Sequence, residues 1–147
     1  MVVMSLILNV LWLVLGGGLL GGAAWILAGI LCALSIVGLP WARAAINIGV
    51  YTLFPFGQTA VSREELSGRM DLGTGPLGLL GNIIWFVVMG WWLALGHLVL
   101  AVGYAVTIIG LPFAWVHLKL VPIALFPIGQ TIVPNEVADG ARYGWRR

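Results

Sequence analysis

Hydrophobic residues fill this chain in long runs, and polar ones fall at a few recurring places. From Val2 to Gly38 no residue is charged, and the plainly polar positions are Ser5, Asn9 and Ser35. A hydrocarbon core of about 30 Å takes about 20 helical residues, so the run is too long for one span and slightly short for two. Glycines cluster in its middle, at Gly16–Gly18 and Gly21–Gly22, where a chain bends most readily. The pattern predicts a helical hairpin over residues 2–37. A second apolar run predicts another over 77–109, with limbs Leu77–Val88 and Trp91–Ile109 meeting at Met89-Gly90. Lipid offers no water to unpaired backbone groups, so every limb is expected to be helical.

Each hairpin ends in Gly-Leu-Pro, at Gly38-Leu39-Pro40 and Gly110-Leu111-Pro112. Glycine can end a helix and proline can open the next, which makes Gly38, Pro40, Gly110 and Pro112 hinges. The segment after each hinge is amphipathic. Over 41–54, Arg43, Asn47 and Tyr51 stand four apart and form a polar stripe at helical spacing. Over 113–126 the corresponding helix carries Trp115, His117 and Lys119. Helices bearing tryptophan and a cation suit the membrane–water interface. Trp41, Arg43, Trp115, His117 and Lys119 are therefore expected to contact lipid headgroups.

The two halves are copies. Asn9 and Trp12 recur as Asn82 and Trp85, and Phe54-Pro55-Phe56-Gly57-Gln58-Thr59 recurs as Phe126-Pro127-Ile128-Gly129-Gln130-Thr131. The offset is 73 at the asparagines and 72 from Gly-Leu-Pro onward. The first repeat covers residues 1–65, its end overlapping a polar loop at 57–76; the second covers 77–137, and a basic tail occupies 138–147. The expected fold is an all-α integral membrane protein of two tandem hairpin repeats, each followed by an amphipathic interfacial helix.

Composition puts this architecture in a bilayer. Of 147 residues 61% are hydrophobic and 8% charged, against about 25% charged in a soluble domain. The net charge of +2 is small and its cations are scattered, so there is no basic stripe for nucleic acid. Cys32 is alone in an apolar run and has no partner for a disulfide or a cysteine metal site. The start of the chain lacks a positive n-region, which marks a retained membrane segment and not a cleaved signal. All five acidic residues and five of the seven basic ones lie in 57–76 or 129–147. By the positive-inside rule the central loop and C-terminus face the cytoplasm. Four spans and two interfacial helices satisfy that rule, with the repeats parallel.

Candidate chemistry is sparse. His97 lies in an apolar limb, where a histidine relays protons, lines a polar path or bonds a neighbouring helix; no second titratable group is evident in any limb. Asn9 and Asn82 hold matching positions. Each amide seeks a partner in lipid, across a pseudo-twofold axis or around a lumen. No serine–histidine–acid set and no metal spacing stands out, and Gly16–Gly18 precedes no Lys-Ser or Lys-Thr. The chain therefore reads as a non-enzyme without metal or cofactor. Ser62-x-x-Glu65 has capping-box spacing with no apolar run behind it.

The doubled order of Asn-x-x-Trp, glycine-containing hairpin, Ile-x-Gly-Leu-Pro (Ile36–Pro40, Ile108–Pro112) and Pro-x-Gly (Pro55–Gly57, Pro127–Gly129) resembles the YccF family of small bacterial inner-membrane proteins. Gly90-Trp91-Trp92 with His97 beyond it is similar to the family's second repeat. The resemblance covers almost the whole chain and implies an inner-membrane component domain, with no catalytic residue to carry over. A duplicated subunit of this size suits symmetric assembly. The sequence thus points to an oligomeric channel or transporter component for ions or small solutes, with Asn9, Asn82 and His97 lining the path. The alternative is a non-catalytic scaffold or accessory subunit. Expected partners are lipids, further copies of the chain and, for the alternative, another membrane protein.

Overall fold

The computed structural model describes residues 2–144, so the end of the basic tail, with Arg146 and Arg147, lies outside the described residues. Helix α1 (Val2–Leu15) meets α2 (Gly18–Leu34) at a bend of 79°. The chain then reverses, and α3 (Leu39–Leu53) returns along α2. Strand β1 (Gln58–Ser62) and the single turn α4 (Arg63–Ser67) complete the first half. In the second half α5 (Pro76–Trp85), a π turn (Phe86–Gly90) and α6 (Trp91–Ala105) form one apolar helix of 30 residues. At 1.5 Å per residue it is about 45 Å long, enough to cross a bilayer. A 3₁₀ turn (Ile108–Gly110), α7 (Leu111–Leu125), β2 (Gln130–Pro134), α8 (Asn135–Asp139) and a π turn (Gly140–Gly144) complete the second half.

The all-α membrane architecture and the two tandem copies are as expected, but the reversals lie elsewhere. The glycine pattern puts them at Gly16–Gly22 and Met89-Gly90; they occur at the two Gly-Leu-Pro turns. Three consecutive glycines let the first copy kink, whereas the second, with Gly90 alone at this point, only widens into a π turn. The tight pairs are therefore α2 with α3 and α6 with α7. Glycine sets the first contact: a Cβ on Gly22 would lie 3.0 Å from the Gly49 carbonyl oxygen, and one on Gly49 3.0 Å from that of Gly22. Only glycine allows the two backbones so close. The hinge prolines, Pro40 and Pro112, open α3 and α7 in their first turns.

A two-stranded antiparallel ribbon joins the halves, and an all-helical expectation does not anticipate it. Gln58 pairs with Pro134, Ala60 with Ile132 and Ser62 with Gln130. Ala60 and Ile132 are repeat counterparts, 72 residues apart, so the pseudo-twofold axis passes through that pair. Beneath it lies the core: Trp12, Ile48 and Tyr51 from the first half, Phe113, Val116, Leu120 and Ile123 from the second. The core thus belongs to neither repeat alone. Ser62 caps the single turn α4, its hydroxyl accepting from the Glu64 amide at 3.2 Å, while the Glu65 carboxylate, which a capping box would turn back to Ser62, accepts from Arg142 at 3.1 Å.

The outer surface is apolar. Leu77, Leu79, Val99 and Val102 are more than 60% exposed on the long helix, and the reversal tips carry Ile36 and Val37 at 88% and 80% and Ile108 and Ile109 at 87% and 85%. Two of the described helices are long and apolar enough to cross a membrane, or up to three spans if the bent α1–α2 pair counts as one.

Candidate functional site

Asn9 and Trp12 lie three apart on one face of α1, and both reach the end of α3. The Asn9 amide donates to the Phe56 carbonyl at 3.1 Å and accepts from the Phe56 N–H at 3.0 Å. The Trp12 indole donates to the Thr52 carbonyl at 2.6 Å. The second half repeats this atom for atom. Asn82 donates to the Ile128 carbonyl at 3.0 Å and accepts from its N–H at 2.9 Å, and Trp85 donates to Ala124 at 2.8 Å. The Pro-x-Gly turn makes the amide clamp feasible. Pro55 and Pro127 are fully buried, and Gly57 and Gly129 hold φ of 83° and 89°, values that disfavour any side chain.

These bonds correct the expectation for the two asparagines. They do not bond one another across the axis; each fixes the turn of its own repeat. Removing a clamp strands one N–H and one carbonyl in a half-buried site, at about 1–3 kcal/mol. Asn82→Ala should accordingly lower the unfolding midpoint in detergent and speed amide exchange at Ile128–Gln130, leaving exchange at Phe56–Gln58 less affected; equal acceleration of both turns would contradict a clamp local to one repeat.

A second set of bonds ties the halves together about the axis. Asn47 donates to the Gln130 carbonyl at 3.2 Å, and its counterpart Lys119 donates to the Gln58 carbonyl at 2.6 Å. Lys119 also donates to the Pro55 carbonyl at 2.7 Å and stands over the Tyr51 ring, 5.3 Å from its centre. The Arg63 N–H donates to Gly129 at 2.9 Å and that of its counterpart Asn135 to Gly57 at 3.1 Å. The amphipathic pattern puts Lys119 at lipid headgroups. It is turned inward instead, because its ammonium finds two carbonyls and an aromatic face in the other repeat.

His117 is likewise not at the surface. It is 6% exposed, stacked on Tyr104 and edge-on to Trp12, with ring centres 5.4 and 5.3 Å away. Its Nδ1 lies 3.0 Å from Nδ1 of His97. One ring must carry the proton on that nitrogen and the other must lack it. His97 therefore does have a second titratable neighbour. The two meet because α7 packs along α6, where a separate interfacial helix would have kept them apart. Nε2 of His117 is buried without a hydrogen-bond partner among the described residues. No group of three His, Cys, Asp or Glu side chains is gathered to hold a metal among those residues.

The remaining interfacial candidates divide. Trp41 is half-buried, its indole donating to the Gly81 carbonyl at 3.3 Å. Trp115 is 61% exposed, open to lipid contact. Arg43 is exposed on α3 and lines a groove of about 590 Å³ between α3, α5 and the 127–130 turn. At the groove's mouth Arg63 grips Asp71 through two bonds of 2.6 and 2.9 Å. That guanidinium, helped by the Gly73 and Thr74 amides, holds the Asp71 carboxyl well below the usual carboxylate range. Sequence patterns do not single out Arg63, Asp71 or Tyr104. The Arg–Asp spacing of eight crosses a loop, and no periodicity reports it.

The comparisons with known proteins agree with this doubled geometry. The family model described as "Inner membrane component domain" matches twice, over residues 7–58 and 80–130. The chain is 35% identical over 142 residues to the inner membrane protein YccF of Escherichia coli (strain K12), an alignment covering 95% of this chain and 94% of that protein. The same figures hold for inner membrane protein YccF of Shigella flexneri. No solved structure matches the chain. With two family matches spanning the two clamped repeats and relatives aligned from end to end, the chain belongs to the YccF family of inner membrane proteins.

Proposed function

We propose that this inner-membrane protein is a non-catalytic accessory or scaffold subunit that presents apolar surface to lipid and to another membrane protein. The observation that carries this reading is the direction of its polar side chains. Asn9, Asn82, Asn47 and Lys119 all bond backbone of the protein itself, and His97 bonds His117. The oligomeric channel suggested by the sequence would have to be lined by side chains already engaged in these bonds. The outward side chains on α1, α5 and α6 are mostly leucine, valine, isoleucine, methionine and tryptophan, a surface suited to lipid and to the apolar face of another membrane protein. The charge distribution supports a cytoplasmic central loop and C-terminus.

Flux measurements test the reading. Protein reconstituted into liposomes should pass no more K⁺, H⁺ or small anion than empty vesicles, while photocrosslinkers placed in cells at Val99 and Val102 give a discrete product with a second protein. Flux that disappears in His97→Leu would instead establish the channel. Crosslinks to lipid alone would remove the scaffold.

A further inference from the structure

The groove beside Arg43 is where the two repeats stop being alike. Its walls are apolar: Trp41 from α3 and Leu77, Leu80 and Ile84 from α5. Its charges do not balance. Arg63 and Asp71 cancel one another through their paired hydrogen bonds, and Asn47 is engaged by Gln130. Arg43 makes no ion pair or hydrogen bond with any described residue. The counterpart of Arg43 is Trp115, 72 residues on, so the doubled scaffold has no need of a cation at this position. The counterpart of Asn47 is Lys119, whose charge is already held by Pro55 and Gln58. One of two related surfaces thus keeps an uncompensated guanidinium in an apolar trough.

A cation at the membrane–water interface attracts the anionic headgroups of lipids. A guanidinium matches a phosphodiester with two parallel hydrogen bonds. A volume of about 590 Å³ holds a headgroup with its glycerol, and chains leaving it would lie on the exposed faces of Leu77 and Leu80. We propose that this groove binds one anionic phospholipid, its phosphate on Arg43 and its glycerol and acyl region along Trp41, Leu77, Leu80 and Ile84. The net charge of the groove, one cation in excess, selects a headgroup without an ammonium. The site stands apart from the scaffold reading and holds whether or not a protein partner is found.

Native mass spectrometry tests it on the full chain, released from nanodiscs of equal phosphatidylglycerol and phosphatidylethanolamine. Wild type should retain one phosphatidylglycerol per chain, with at least a tenfold preference over phosphatidylethanolamine. Arg43→Gln should abolish the preference; Arg43→Lys should keep most of it; Arg69→Gln, in the linker outside the groove, should leave it unchanged. Arg43 is exposed, so these variants should share the wild-type melting temperature. Equal retention of both lipids, or equal losses in Arg43→Gln and Arg69→Gln, would overturn the proposal in favour of general surface charge. Displacement by millimolar inorganic phosphate would overturn it in favour of a free-anion site.

Discussion

Trp12→Ala is expected to destabilise the protein by about 3–5 kcal/mol, the range for losing a large buried aromatic. Trp12 is 1% exposed and lies where the halves meet. Its indole is 5.8 Å from the Phe113 ring, besides its contact with His117 and its bond to Thr52. Gly16 and Gly18 flank it, and a Cβ on either would overlap the indole, so the glycines of the bend also make room for the tryptophan. Truncation opens a void that α1, α3 and α7 all border. Trp85 gives an internal control. It makes the equivalent bond to Ala124, but it is half-buried and faces Trp25 at 6.1 Å. Trp85→Ala should cost about half as much, and Trp12→Phe, which keeps a ring, about 1–2 kcal/mol. Denaturant titration of the three variants in one detergent checks the order. Equal losses at Trp12 and Trp85 would show that the core is not centred on the first tryptophan.

Lys119→Met is expected to cost about 1.5–3 kcal/mol, the range for a hydrogen bond to a charged group. It keeps the apolar stem and removes the donors, leaving the Pro55 and Gln58 carbonyls without their lysine. Lys119→Asn should recover part of the loss, because Asn47 makes the same cross-repeat bond from the equivalent position. Amide exchange distinguishes a tie between repeats from a local contact. Lys119→Met should accelerate exchange throughout the ribbon, Gln58–Ser62 and Gln130–Pro134 alike. Acceleration confined to Pro55–Gln58 would mean that the lysine serves only its nearest turn.

How far the sequence carried depends on the kind of contact. The duplication was legible because identity at a fixed offset needs no geometry, and the membrane class came from composition. Asn9 and Asn82 were legible as special positions but not in their role. Their partners are backbone groups 46 or 47 residues away, and no side-chain pattern announces a carbonyl. The ribbon was within reach: Gln-Thr-x-Val recurs at Gln58–Val61 and Gln130–Val133, with threonine and valine suited to a strand. Its position in a polar stretch made it read as loop. The reversal points were misplaced because glycine signals a bend in general, while Gly22 and Gly49 serve to let two helices touch. The His97–His117 pair needed α6 and α7 side by side, an arrangement that emerges only once the reversal is set at Gly110.

The symmetric register of the ribbon has a consequence for how the chain is made. Strand β1 is complete at Ser62, but its complement does not begin until Gln130. Ribosomes add about 5–20 residues per second, so the first half waits several seconds beside the membrane with one edge bare. In that interval the best available complement is the same unpaired strand on a neighbouring nascent chain. Because the pairing is centred on repeat counterparts, two first halves would fit one another in the register that the finished protein uses. The covalent link through residues 63–76 raises the local concentration of the correct partner and so protects against exchanged dimers.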